Sequence, residues 1–294
     1  MSDLLQKFLS RGPVLTDGAW GTELQSRGLP VGEFPDLWNL THPEHVGAVA
    51  RSYVEAGSQL ILTNTFGSNR FRINTEGSGV DVAALNSKGV EISREAAGRS
   101  AFVFGSVGPS GKLLAAGEVT ADELLQAFVE QTTALAQAGA DGLVLETFSD
   151  LEELLVALDA ARQTALPIVA CLVYDSGKNK DRTMMGTTPE QAAAALEKAG
   201  AAAIGANCGQ GIAGFVSICQ RLKAATRLPV WIKANAGLPE LVAGRATYRT
   251  TPEEFASYTP ALVEAGASFL GGCCGTSPAF ISAMKNRLHS AVSK

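Results

Sequence analysis

The chain has 294 residues, 46% of them apolar and 18% charged, with a formal net charge of −5. The acidic balance without a Lys/Arg cluster excludes the electrostatic footprint of a nucleic-acid binder, and no apolar run approaches the length a membrane-spanning helix needs, about 18 residues. Five cysteines, odd in number and sparse, do not make a disulfide framework; with a mixed start, Met1–Ser10, that lacks an apolar signal-peptide core, they point to a cytoplasmic, reducing compartment.

Short apolar runs ending in a small or polar residue alternate along the chain with helical patterns. The first strand, Pro13–Thr16, ends in Asp17-Gly18. A helix opened by Thr41-His-Pro-Glu44 and closed at Ala56-Gly57 leads to the second, Gln59–Asn64. The third, Phe102–Val107, runs into Gly108-Pro109, and a helix follows from Thr120-Ala-Asp-Glu123 to Ala138-Gly139. The fourth is Gly142–Glu146 and the fifth Pro167–Leu172. The sixth, Ala202–Asn207, follows the helix stop Ala199-Gly200 and ends in Cys208-Gly209. The seventh, Pro229–Ala234, ends in Asn235-Ala-Gly237. A helix from Thr251-Pro-Glu-Glu254 to Ala265-Gly266 then precedes the eighth, Ser268–Gly272, and its Cys273-Cys274-Gly275 end; a last helix covers Pro278–Val292.

Each Thr with an acidic residue three positions on reads as a helix cap, and each Ala-Gly pair as a stop whose glycine takes the left-handed conformation. Eight strand–helix units without a hairpin signal predict a single (β/α)8 barrel over residues 1–294. The runner-up, an open doubly wound sheet, would carry a Gly-x-Gly-x-x-Gly turn after its first strand, where this chain has Asp17-Gly-Ala-Trp-Gly21.

In such a barrel chemistry sits at the carboxyl ends of the strands. Cys208 and Cys273-Cys274 lie there, on strands separated by one neighbour. Zinc takes thiolates in tetrahedral array, and three protein ligands with one open position is a catalytic pattern. The sequence spacing of 65 from Cys208 to Cys273 (273 − 208) resembles no zinc finger; the barrel must bring them together. Buried unliganded thiols, a vicinal disulfide at Cys273-Cys274 and a phosphate site at Gly271-Gly272 remain alternatives, as do a zinc-free thiol or redox enzyme and a binding module with structural zinc. Cys171 and Cys219 are assigned to packing. Asp17 and Glu146, on opposite sides of the rim, are candidates to pair with the ammonium of an amino-acid substrate, against a structural ion pair or helix cap. The loops Tyr174–Thr188 and Asn235–Thr250 are candidate covers of the mouth.

Several of these segments, Thr16-Asp-Gly-Ala-Trp-Gly21, Thr63-Asn-Thr-Phe-Gly67, Ser106-Val-Gly-Pro109, Glu146-Thr-Phe148, Gly205-Ala-Asn-Cys-Gly209 and Gly271-Gly-Cys-Cys-Gly-Thr276, resemble the signature of the homocysteine S-methyltransferase family over nearly the whole chain. That family includes betaine–homocysteine methyltransferase and the homocysteine-binding domain of cobalamin-dependent methionine synthase. Asn64-Thr-Phe-Gly67 and Asn235-Ala-Gly237 are most similar to the second branch, although Ala234 stands where that branch has proline. The resemblance implies zinc on Cys208, Cys273 and Cys274, homocysteine as methyl acceptor, methionine as product, and ammonium contacts from Asp17 and Glu146; Gly18, Asn207 and Asn235 are further candidate substrate contacts, with Asn207 alternatively orienting backbone near the metal. It also implies that Asn235 occupies the fourth position on zinc until substrate displaces it. Eight units use up the 294 residues, so the donor is expected to be a small methylated compound or a separate methyl-corrinoid protein docking at the rim.

Overall fold

The computed structural model describes residues 8–10, 12–73, 79–242 and 245–292, so most of the Met1–Ser10 start lies outside the described residues. Eight parallel strands form one sheet: β1 (Val14–Leu15), β2 (Leu60–Leu62), β3 (Phe102–Val107), β4 (Gly142–Phe148), β5 (Ile168–Leu172), β6 (Ala203–Gly211), β7 (Val230–Asn235) and β10 (Ala267–Gly272). Between the last two lies a small antiparallel hairpin, β8 (Glu240–Val242) with β9 (Arg245–Thr247), which the sequence reading did not anticipate. Its strands are too short, and Leu241 too exposed, to leave an alternating pattern.

The strands run in chain order from β2 to β7, then β10 and β1. The remaining seam, β1 against β2, closes partly through side chains. Gln59 N donates to Leu15 O at 2.8 Å, Leu15 N to Gln59 Oε1 at 3.1 Å, and Leu62 N to the Asp17 carboxylate at 2.8 Å. Closure removes the exposed sheet edge, and the fold is the expected (β/α)8 barrel.

Alternation along each strand divides two cores. Outward residues such as Ile61, Val103, Leu145 and Ile232 pack under the helices. Inward residues, among them Val14, Leu60, Phe104, Val144, Val169 and Trp231, fill the barrel. The interior glycines make room for the rings: a Cβ on Gly142 would meet Phe104, and one on Gly205 would strike the Trp231 backbone. Continuing inward along the same faces gives Ser106, Glu146, Asn207, Lys233 and Cys273, so the polar layer lies directly above the apolar plug.

The main helices are α1 (Pro43–Ala56), α2 (Val82–Ala97), α3 (Ala121–Gln137), α4 (Leu151–Arg162), α5 (Pro189–Lys198), α6 (Ile212–Ala225), α7 (Pro252–Ser257), α8 (Thr259–Glu264) and α9 (Pro278–Val292). Thr120 and Glu123 form a reciprocal capping box on α3, and Thr251 caps α7 through Glu254 N. Thr41 does not cap α1: it ends a short helix, Trp38–Thr41, and His42 occupies the cap without a side-chain bond. Thr188 with Gln191 forms a further capping box on α5. Gly57, Gly139, Gly200 and Gly266 all have positive φ, as the Ala-Gly stops require. Among the described residues no helix is long and apolar enough to cross a membrane.

Candidate metal centre and substrate site

Two irregularities in the sheet shape the mouth. Between β6 and β7 the pairing passes from Asn207↔Lys233 to Gly211↔Asn235, leaving two extra residues on β6. Cys208 sits in that bulge with φ 60°, a left-handed conformation uncommon outside glycine. Between β4 and β5 the step from Leu145↔Ala170 to Phe148↔Leu172 leaves one extra residue, and Thr147 there has φ 66°. A β-branched residue held so stores strain, and its restraint is visible. Thr147 N donates to Asn207 Oδ1 at 2.8 Å, and Asn207 Nδ2 donates to Thr147 Oγ1 at 2.6 Å.

The bulge turns Cys208 toward the end of β10. The sulfurs of Cys208, Cys273 and Cys274 all lie within 4.8 Å of one another, with Cys208 Sγ 3.9 Å from Cys274 Sγ. Sulfurs about 2.3 Å from a tetrahedral zinc stand about 3.8 Å apart, so the cluster is close to liganding geometry. Hydrogen bonds from the other two thiols hold Cys208 as the thiolate, down to about 3. The same contacts and burial push Cys274 up to about 12 and Cys273 well above the usual thiol range. A divalent cation would favour the thiolate form of all three. Asn207 Nδ2 reaches Cys273 Sγ at 3.9 Å. Asn235 is buried, its side chain hydrogen-bonds Cys208, and its Oδ1 has no partner. An orphaned buried oxygen beside three sulfurs fits a four-ligand metal centre.

Below the sulfurs lies a buried ionic layer. Asp17, fully buried, pairs through Oδ1 with Lys233 Nζ at 2.5 Å. Its Oδ2 accepts from Trp20 Nε1 and from Leu62 N, both at 2.8 Å. Glu146, 7% exposed, accepts from Ser106 Oγ at 2.6 Å. Burial raises the Glu146 carboxyl above its usual range, opposed by the charge of Lys233. Gly18 leaves no side chain to clash with Thr276 and Tyr53, which lace the β1 end to the β10 end. Thr276 Oγ1 accepts from Ala19 N and donates to Cys273 O, and Tyr53 Oη donates to Ala19 O at 2.7 Å.

The eight residues singled out in the sequence thus gather at one mouth, while Cys171 and Cys219 are buried away from the cluster. Lys233 and Tyr248 were missed. A charged residue interrupting the apolar run Val230–Ile232 on a strand buried on both faces was the available signal for Lys233. Tyr248 follows the hairpin; a Cβ on Gly275, whose φ is 80°, would collide with its ring, and its phenol hydrogen-bonds Cys274. The cover loops are partly tied down. Gln210 Nε2 donates to Tyr174 O and Lys180 O, whereas Met184 and Met185 stand exposed. In the second loop residues 243–244 lie outside the described residues.

Residues 14–288 match the family model for homocysteine S-methyltransferase. The chain is 32% identical to methionine synthase of Mycobacterium tuberculosis over 95% of its own length and 25% of the relative's, and 31% identical to that of Mycobacterium leprae over 94% and 24%. It spans about a quarter of the length of these curated relatives. Among solved structures it resembles the metallated form of the homocysteine methyltransferase MmuM from Escherichia coli, with TM-score 0.80 and 27% identity over 96% of this chain and 99% of that one. The family match over 14–288 and the shared barrel lead to one conclusion: the chain belongs to the homocysteine S-methyltransferase family.

Proposed function

We propose that the chain transfers a methyl group to the thiolate of homocysteine, giving methionine, with zinc held by Cys208, Cys273 and Cys274. The observation that carries this is three sulfurs within 4.8 Å of one another beside an orphaned Asn235 oxygen and above a buried carboxylate, Glu146. That the E. coli relative has a metallated form supports a bound metal.

A free thiol with a pKa of about 8.5 is only about 3% thiolate at pH 7. Held by the three cysteines, zinc would supply deprotonation of the substrate thiol, a gain of roughly thirtyfold in reactive form, or about 2 kcal/mol. The chain does the rest. The bulge at Cys208 and the laced β1 and β10 ends fix the three sulfurs on the rim. Asn235, whose Oδ1 has no partner beside Cys208, would be the chain's own further donor to the metal. The layer beneath, Asp17 and Glu146 against the single charge of Lys233, leaves the mouth the net negative charge that an amino-acid ammonium requires.

For the donor, the observation to weigh is apolar. Val31, Leu113, Met184, Met185, Leu238 and Leu241 are exposed, on segments that follow the carboxyl ends of β1, β3, β5 and β7. A rim of this kind favours a methyl-corrinoid protein that covers the mouth over a small methylated compound that merely enters it. The test is methyl transfer to homocysteine from S-methylmethionine, betaine, free methylcobalamin and a methylated corrinoid protein, with zinc measured on the same sample. Methionine formed with about one zinc per chain supports the proposal. No methionine from any donor, with zinc bound, removes it; turnover of S-methylmethionine with both corrinoid donors inert removes the corrinoid reading alone.

A further inference from the structure

Lys233 is a lysine only 2% exposed, inside a barrel whose other inward residues at lower levels are apolar. A buried ammonium needs partners, and this one has Asp17 at 2.5 Å, with Glu146 within its electrostatic reach. The two carboxylates are not equivalent. Asp17 has its Oδ1 on Lys233 and its Oδ2 on two N–H donors, one of them from the seam strand β2. Glu146 has one neutral partner, the Ser106 hydroxyl, and no ion pair closer than 4 Å among the described residues. With Asp17 neutralised, the layer retains one uncompensated carboxylate, placed on the inward face directly before the clamped Thr147.

We infer that Lys233 is a specificity-determining residue: its ammonium takes Asp17 out of substrate recognition and leaves Glu146 alone to bind the ammonium of the acceptor amino acid. The inference rests on the reading of homocysteine as acceptor and deepens it. Lys233 acts as a permanent internal stand-in for a substrate ammonium at Asp17, so the site accepts one positive charge and not two. The bond to Leu62 N then serves barrel closure whether or not substrate is present. Methionine is close in length and shape to lysine without its terminal nitrogen, a sulfur standing for Cδ, so Lys233→Met opens an ammonium-sized space against Asp17 Oδ1 while the rest of the side chain still packs.

The test compares L-homocysteine with 4-mercaptobutanoate, the same thiol without its amino group, by calorimetric titration of zinc-loaded protein. The parent is expected to prefer homocysteine. In Glu146→Gln that preference disappears: homocysteine weakens roughly ten- to a hundredfold, to the level of the analogue, whose affinity is unchanged. In the double variant Glu146→Gln with Lys233→Met the preference returns, because Asp17 is released to take the ammonium. A preference of tenfold or more persisting in Glu146→Gln overturns the inference, and does so even if the double variant fails to fold. A folded, zinc-loaded double variant with no recovered preference overturns it too. A parent that binds both thiols equally overturns the acceptor reading itself, and the inference with it.

Discussion

Removing the Lys233 charge is expected to be among the most destabilising single changes in the barrel. At 2.5 Å the Lys233–Asp17 attraction is on the order of 7 kcal/mol for an effective dielectric constant of about 20. Most of that offsets the cost of taking both ions out of water, so the pair itself contributes little net stability. A single substitution is different, because it leaves the other charge buried and alone. Lys233→Met should cost about 3–5 kcal/mol, a large part of a typical total of about 5–15 kcal/mol. Asp17→Asn should cost a similar amount, since it strands the ammonium and weakens the bond that closes β1 on β2. The double change should cost clearly less than the sum, by about 2 kcal/mol or more, as expected for groups in direct contact. Urea unfolding of metal-free protein followed by circular dichroism measures all four corners. Single changes costing under 1 kcal/mol, or strictly additive effects, would refute the claim of a desolvated, mutually dependent pair.

Cys208→Ser, Cys273→Ser and Cys274→Ser should each strip or weaken zinc by atomic absorption, while Cys171→Ser and Cys219→Ser retain it. Full zinc in any two of the first three would contradict the ligand assignment. Asp36, whose carboxylate accepts from Gly67 N at 2.7 Å and Ser68 Oγ at 2.8 Å, is raised by burial from 3.8 to about 6. A carboxyl raised on folding favours the native state below its unfolded pKa, and that contribution is lost as pH climbs through about 6, about 3 kcal/mol in all. Asp36→Asn keeps the acceptor oxygen and should remove this falling slope between pH 4 and 6 in unfolding curves; an unchanged slope would assign it to other groups. Gly205→Ala, which drives a Cβ into the Trp231 backbone of the neighbouring strand, should cost about 3 kcal/mol or more, and a thermal midpoint within 2 °C or so of the parent would argue against that close approach.

The barrel was legible because parallel strands buried on both faces read as apolar runs, and because the Ala-Gly stops at Gly57, Gly139, Gly200 and Gly266 mark where four of the helices yield to the next strand. All eight strands were anticipated, with boundaries shifted by at most a few residues. The errors have local causes. Thr41 resembles a cap only when the sequence is read from α1 outward; the turn before it is already helical. The bulges that aim Cys208 and strain Thr147 come from cross-strand register, which no single segment encodes. At the site, the cysteines stood out by position, since thiols at two strand ends can meet only in a closed barrel. Lys233 did not, because a lone lysine in a strand ordinarily reads as an exposed position, and only the paired faces of β1, β4 and β7 reveal that its partners are Asp17 and Glu146.

The central claim is that Cys208, Cys273 and Cys274 bind zinc and leave one position for the substrate sulfur. Zinc K-edge X-ray absorption on the loaded protein, with and without L-homocysteine, reads that position directly. The account predicts three sulfurs and one oxygen or nitrogen in the resting protein, becoming four sulfurs at about 2.3 Å when homocysteine is added. A first shell that is unchanged by homocysteine, or that holds four protein ligands throughout, would contradict it.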